Sequence, residues 1–459
     1  MFIPKRALRR LPLEGAIRVA IPTTIVTVAL GSNWSPSVRS VAQPLWRLSL
    51  VALCALAVAW AALHPAGLRR LWDGVRAPAH AAAAAFAAVA AASTLWSTDP
   101  RLTLERTFSF GLVLLAAGAL GLGSGRDPAV VERLLLSVLA GAVVVALAGL
   151  VVLAVAPGHA LQSATATIPS RYRGIGQNPN TVAMLFAVTT PLATWLAVAG
   201  RGRRRLLGVL ALLLLAGSIV GSGSRGALFT AALGALVLVV VYMSGTRQRL
   251  LAAAAVAAAT GAAVGLAQIP QPNPSATGAS PTACVRCRFN PHDADRWIRL
   301  EDELDAPATS GRPAQRRTFL ASTGRGQAWE GAIDQGELRP VAGYGFGTED
   351  HVFVDRYYSF FGGSPESSYV GMFLQLGLVG LALLLLLAGT LVRGSVTALR
   401  RLGRRERRVA AACTAVLLTG LGLGVVQSSL YAVGNTATVA MWTCAFLGLA
   451  LAPRSATDG

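Results

Sequence analysis

Residues 134–156 read LLLSVLAGAVVVALAGLVVLAVA, and this run decides the fold class. Coiled as a helix, it is long enough to cross a hydrocarbon core of roughly 30 Å. Only helices and closed barrels satisfy their backbone groups in lipid, and a barrel strand would alternate apolar with polar residues. The same pattern recurs outward in both directions, roughly at 16–33, 45–63, 78–95, 107–123, 178–199, 206–222, 226–243, 250–268, 368–392, 409–431 and 434–452, about twelve runs in all. Pro22 and several threonines dilute the first. The expected fold is an all-α polytopic membrane protein of about twelve transmembrane helices. Helices one to nine occupy 1–268, one large extracytoplasmic loop occupies 269–367, and helices ten to twelve with a cytoplasmic tail occupy 368–459.

Composition excludes a soluble globule. The 459 residues are 54% hydrophobic and 14% charged, with a mean hydropathy of +0.55, which leaves too little polar surface to coat one. The net charge of +20 sits in short clusters flanking the apolar runs and not on a separate domain with base-stacking aromatics. Membrane topology explains it, and nucleic acid is not an expected partner. The clusters are Lys5-Arg6 with Arg9-Arg10, Arg69-Arg70 with Arg76, Arg126 with Arg133, Arg201 with Arg203, Arg204 and Arg205, Arg247 with Arg249, and the series from Arg393 to Arg408. All six fall on one side of a twelve-helix arrangement, which puts both termini in the cytoplasm and the 269–367 loop outside. Cys54, Cys413 and Cys444 lie in apolar runs, whereas Cys284 and Cys287 lie in the outer loop. There a local disulfide or idle thiols are expected over a metal site, for which only His292 and neighbouring acids could add ligands.

The outer-side polar residues carry whatever chemistry the chain performs. Trp96-Ser97-Thr98-Asp99-Pro100 reads as an interfacial tryptophan with an Asx-Pro turn. Arg171-Tyr172-Arg173-Gly174, ahead of Asn178-Pro179-Asn180, breaks the positive-inside pattern, so Arg171 and Arg173 either snorkel to headgroups or bind an anion. Gly223-Ser224-Arg225-Gly226 joins two apolar helices by so tight a turn that Arg225 must lie at or just below the outer surface. An arginine there is costly and marks function, and the Ser224 turn offers backbone N–H groups at a helix start, suited to phosphate oxygens. Arg325 stands in Thr323-Gly324-Arg325. Converging, Arg171 or Arg173 with Arg225 and Arg325 would form a guanidinium cage for a pyrophosphate.

Glu366 precedes the tenth apolar run, with Ser364 as the expected N-cap and Pro365 at the first helical position. It reads either as an acid complementing the helix dipole or as a general base for an acceptor hydroxyl. His351, close behind Glu349-Asp350, is the alternative base. Trp329, Tyr344 and Tyr369 read either as sugar-stacking rings or as interface and loop anchors.

Taken in series, Trp96-Ser97 with Asp99-Pro100, Arg171 with Gly174 and Asn178-Pro179-Asn180, Gly223-Ser224-Arg225-Gly226-Ala227, Gly324-Arg325 with Trp329, Gly343-Tyr344-Gly345-Phe346-Gly347, and Ser368-Tyr369 followed by Gln375-Leu376-Gly377-Leu378-Val379-Gly380 resemble the O-antigen ligase and polymerase family over about residues 90 to 385. The resemblance implies a membrane enzyme that takes a glycan from an undecaprenyl pyrophosphate carrier on the outer face of the cell membrane. It passes that glycan to an acceptor hydroxyl with inversion, without a metal, cofactor or nucleotide sugar. Many ligases of the family carry a His-Asn pair before the Ser-Tyr; here Glu366-Ser367 occupies those positions, so a repeat-unit polymerase or a ligase for another acceptor is at least as well matched. On this reading Arg225 and Arg325 hold the leaving pyrophosphate with help from Arg171 and Arg173, and Glu366 takes the acceptor proton. A multi-pass transporter or flippase of lipid-linked glycans is the alternative, favoured by mid-membrane charges or by a repeat between halves, neither of which is clear in the sequence.

Overall fold

The computed structural model describes residues 5–63, 77–162, 170–243, 245–266, 325–353 and 364–452. Cys284, Cys287, His64 and His292 lie outside them. Among the described residues the long helices before the polar segment are α1 (Lys5–Gly31), α2 (Pro36–Ala62), α3 (Pro78–Ala92), α4 (Pro100–Ser124), α5 (Pro128–Val155), α6 (Pro179–Ala199), α7 (Arg203–Ser222), α8 (Arg225–Tyr242) and α9 (Thr246–Leu266), with a four-residue helix, Pro157–Ala160, after α5. After the long polar segment come α10 (Arg325–Gly336), α11 (Ser368–Arg401), α12 (Arg404–Val426) and α13 (Thr436–Ala450). Among the described residues eleven helices are long and apolar enough to cross a membrane: α1 to α9, with α3 extended through a 3-10 turn to Leu95, and α11 and α12. The last expected run corresponds to α13, a shorter apolar helix of 15 residues. The chain is therefore an all-α polytopic membrane protein. Its described strands are the two-residue pair Leu161–Gln162 and Arg171–Tyr172, antiparallel.

The local chemistry of the starts is visible in the sequence. Proline opens α2 to α6, where its missing N–H costs nothing and its φ is already helical. Asp99, Asp127 and Asn178 cap α4, α5 and α6 by accepting amide hydrogen bonds from Leu102, Ala129 and Asn180 with Thr181. Pro22 leaves α1 continuous, as the hydrogen bonds freed in a membrane helix allow.

The bundle packs with its aromatic weight at the centre. Phe86, Phe110, Trp442, Phe446 and Tyr431 form one ring cluster with Phe346, whose centroid lies 5.9 Å from both Phe86 and Phe110. Phe346 belongs to the polar segment before α11, so that segment is plugged into the core by its own ring. Outward-facing Leu147, Val151, Val155, Leu206, Leu210 and Leu213 are exposed, as a lipid-facing rim requires. At one end of the bundle Arg133 pairs with Glu14, Arg204 pairs with Glu132 at 2.7 Å, and Arg408 lies over the Tyr242 ring. Members of three of the basic clusters therefore share that end.

Helix α11 is two helices. Gly377 has φ 60 and ψ −155, which breaks the helix between residues 368–376 and 378–401. The freed backbone groups are taken by the segment before it: Leu378 and Val379 N–H donate to the Pro340 and Val341 carbonyls, and the Leu374 and Gln375 carbonyls accept from Tyr344 and Gly345 N–H. This exchange explains Gly343-Tyr344-Gly345-Phe346-Gly347. Gly345, at φ 108, lies where an added Cβ would overlap Ser97, and non-helical backbone at membrane depth survives only when its polar groups find partners in this way.

Candidate active site

The short helix 368–376 opens where the two arginines expected to hold an anion meet the expected base. Ser367, not Ser364, caps it: the Ser367 side chain accepts from Val370 N–H, and the helix begins at Ser368. Glu366 therefore lies outside the helix and not in its first turn, because Glu366 has φ 47, a left-handed conformation that cannot continue an α-helix. That conformation costs a residue with a Cβ about 1 kcal/mol and persists only where surroundings enforce it. The enforcement is on both sides. Glu366 N–H donates to Ser364 Oγ at 3.4 Å; Trp329 Nε1 donates to the Pro365 carbonyl at 2.8 Å. The carboxylate accepts from Arg325, Nε at 3.0 Å and Nη2 at 2.5 Å, both on Oε2.

Arg325 is the first residue of α10, and Trp329 follows one turn later, so one short helix carries both the guanidinium and the anchor of the Glu366 segment. The Arg325–Glu366 pair is about three-quarters buried at each side chain. Arg225, the first residue of α8, lies close enough to Arg325 for the two positive charges to repel. The structure thus brings Arg225, Arg325 and Glu366 together.

Arg171 sits behind this group. Its Nε donates to the Ser222 carbonyl at 2.6 Å and its Nη2 to Asn180 Oδ1 at 2.8 Å, and the side chain is buried. It links the first turn of α6 to the last turn of α7, where a positive charge also complements the helix dipole. Gly223, left-handed at φ 61, ends α7, and the buried Ser224 is the N-cap position of α8, its N–H donating to Ser222 Oγ. The Gly-Ser-Arg turn is therefore held by Arg171 through the Ser222 carbonyl, with Arg225 within electrostatic reach of Arg325.

Arg173 is directed elsewhere. It donates to the His159 and Gly158 carbonyls and stacks over Trp34 at 4.3 Å; burial of its guanidinium pushes its pKa down. Tyr344 donates to the Gln335 carbonyl under the Arg339 guanidinium, and Tyr369 donates to the Leu421 carbonyl at 3.0 Å. His351 Nδ1 lies 3.5 Å from Asp99 Oδ2, on the α4 side of the segment, and its described partners do not include Arg325 or Glu366.

A second polar cluster was not legible in the sequence. Glu349 is buried, and its Oε2 accepts from the Tyr431 hydroxyl at 2.5 Å, Gln375 Nε2 at 3.2 Å and Ser428 Oγ at 3.5 Å. Burial pushes its pKa up to about 7, opposed by the Tyr431 hydroxyl and aided by the Asp350 charge. Tyr431 is raised well above the usual phenol range by burial and by the Glu349 charge. Beside them Arg106 holds Asp350 with two bonds, 2.8 and 2.9 Å, and donates to the Gly347 carbonyl. The available signals were a glutamine, Gln375, inside an apolar run and an acid directly after a glycine-rich stretch. Among the described residues no three His, Cys, Asp or Glu side chains gather as metal ligands would.

No curated protein matches the chain. Residues 210–385 match the family model described as O-antigen ligase. That stretch, less than half of the chain, contains Arg225, Arg325 and Glu366 and the whole broken-helix exchange, and over it the chain is similar to the O-antigen ligase family.

Proposed function

We propose that the chain is a membrane glycosyltransferase of cell-surface polysaccharide assembly, moving a glycan from an undecaprenyl pyrophosphate carrier to an acceptor hydroxyl, as a polymerase or a ligase. The observation that carries this reading is Arg325, which is paired with the Glu366 carboxylate and lies within electrostatic reach of a second guanidinium, Arg225. Two like charges held together are stabilised by a multiply charged anion, and the planar forks suit phosphate oxygens.

In this mechanism the donor's pyrophosphate enters between Arg225 and Arg325 and competes for Arg325, which releases Glu366. As the bond between the anomeric carbon and the pyrophosphate oxygen breaks, its electron pair passes to the leaving group, whose growing charge the two arginines stabilise. The acceptor oxygen bonds the anomeric carbon from the opposite face, giving inversion, and its proton goes to the Glu366 carboxylate. No step calls on a metal or cofactor. Arg171 supports the site through the Ser222 carbonyl, keeping Ser224 and Arg225 in place. Arg173 serves the segment around Trp34, and its contribution to donor binding is indirect. Trp329 fixes Pro365, while Tyr344 and Tyr369 anchor the loop and the short helix. His351 is the alternative base.

An apolar cleft lined by Leu150, Leu153, Leu161, Leu213, Leu214 and Tyr172 borders Gly221, one turn from Ser224. Its position supports a polyprenyl tail lying between α5 and α7 with its headgroup at Arg225. The positive-inside pattern of the basic clusters supports a cytoplasmic side at the Arg133 and Arg204 end, with both termini, and on this reading the site opens on the outer face of the inner membrane.

The test is release of undecaprenyl pyrophosphate from a lipid-linked oligosaccharide by the purified protein in lipid vesicles. Arg225→Ala is expected to lower release by about 10²- to 10³-fold, the range for loss of one preorganised charge-stabilising donor. Wild-type protein that folds but releases nothing, across donors and acceptors, would replace this reading with transport of lipid-linked glycans.

A further inference from the structure

The mechanism above makes no use of the buried carboxyl group of Glu349, which opens the four-residue helix Glu349–Val352, and its contacts lead to the site. Ser368, the first residue of the short helix, donates through Oγ to the Gln427 carbonyl at 2.8 Å and accepts from Ser429 and Leu430 N–H at 2.9 and 3.1 Å. The turn it grips, 427–431, supplies Ser428 and Tyr431 to Glu349. Gln375, at the other end of the same short helix, bonds Glu349 through Nε2 and Gly347 N–H through Oε1. Between them Gly371 packs so closely that an added Cβ would overlap both Glu349 Oε2 and the Tyr431 hydroxyl. Both ends of helix 368–376 therefore answer to one carboxyl group, and Glu366 is two residues from its first turn.

We propose that Glu349 is the positioning residue of this site: its carboxyl ties the 427–431 turn and the helix 368–376 into one unit and thereby fixes Glu366 beside Arg325. The kinetic part of this rests on the glycosyl-transfer reading; the structural part does not. The protonated carboxyl is the form that suits the dry site. The charged groups facing it are Arg106 and Asp350, which already neutralise each other as a bidentate pair, and Tyr431, which is neutral. A carboxylate at Glu349 keeps the Tyr431, Gln375 and Ser428 donors but has no unshared cation to meet, so burial outweighs those bonds and ionisation favours admission of water, which loosens the unit. Positioning weakens as pH rises through about 7.

The experiment is hydrogen–deuterium exchange of the full chain in phosphatidylethanolamine–phosphatidylglycerol nanodiscs at pH 6 and pH 8, after correction for the intrinsic base catalysis of exchange. In wild type, peptides covering 364–376 and 425–436 are expected to exchange about tenfold faster at pH 8 than the correction accounts for. Glu349→Gln, neutral at both values and nearly isosteric, is expected to remove that excess; Glu349→Ala is expected to exchange fast at both. In the release assay wild-type kcat is expected to fall above pH 7 with the donor KM unchanged, and Glu349→Gln to flatten that profile. An excess absent from wild type, or equally present in Glu349→Gln, overturns the positioning role. Wild-type protein that shows the exchange behaviour but no release instead overturns the glycosyl-transfer reading and leaves the tie between Glu349 and the short helix intact.

Discussion

Replacing Glu366 with glycine separates what this residue does for folding from what it does for chemistry. The substitution removes a left-handed conformation that costs a side-chain-bearing residue about 1 kcal/mol, because glycine adopts φ 47 freely. It also removes the Arg325 pair, which at about one-quarter exposure of each side chain contributes on the order of 1 kcal/mol after screening by solvent. The two nearly cancel, so unfolding in mixed micelles, followed by tryptophan fluorescence against denaturant, should move by less than about 1 kcal/mol. Undecaprenyl pyrophosphate release should fall by about 10²- to 10⁴-fold, the span for loss of a general base. Glu366→Gln keeps the strain and loses the charge; it should match glycine in lost activity and be the less stable of the two. A residue retained only for structure would give the opposite pattern. Release within threefold of wild type in Glu366→Gly, or destabilisation beyond about 3 kcal/mol, would refute the assignment of strain to function at this position.

Two further substitutions test the supports. Arg171→Lys cannot reproduce the paired bonds to the Ser222 carbonyl and Asn180, and is expected to cost about 1.5–3 kcal/mol by the same denaturant titration and to raise the donor KM through Arg225; a variant as stable as wild type would show that the α6–α7 link is dispensable. Gly345→Ala meets both a left-handed φ and Ser97, and is expected to cost at least about 2 kcal/mol, read as loss of thermal stability in detergent. A change below about 0.5 kcal/mol would mean that the glycine-rich segment shifts freely against the turn between α3 and α4.

The regions that read clearly in the sequence did so through periodicity and capping. Residues 134–155 lie within α5, and each of the other runs is helical over most of its length, the tenth as two helices broken at Gly377, because an apolar run in lipid has no alternative to internal hydrogen bonding. Asn178-Pro179 stood at the start of its expected run, whereas Asp99-Pro100, read as an Asx-Pro turn ahead of a run from 107, proved to be the cap and first residue of α4. Arg225 stood out as a charge where charge is expensive, and Arg325 and Glu366 through their places in the long polar segment and ahead of the tenth apolar run. The start of α11 read wrongly from local signals. Ser364-Pro365-Glu366 has the composition of a helix start, yet the ties to Trp329, Ser364 and Arg325 hold Glu366 left-handed and move the cap to Ser367.

The sequence by itself determined that the chain has many runs long and apolar enough to cross a membrane, with guanidiniums in the turns between them and Glu366 just before the tenth, because burial of apolar length and exclusion of charge are properties of short windows. Only the tertiary structure decided which charges meet. Arg171 and Arg173 are two residues apart, yet one braces the turn that carries Arg225 and the other stacks on Trp34. Glu349 gained its significance from Tyr431 and Gln375, which are distant in the chain. Such pairings depend on where a broken helix takes its missing hydrogen bonds, and Gly377 found them in a segment that no local pattern connects to it.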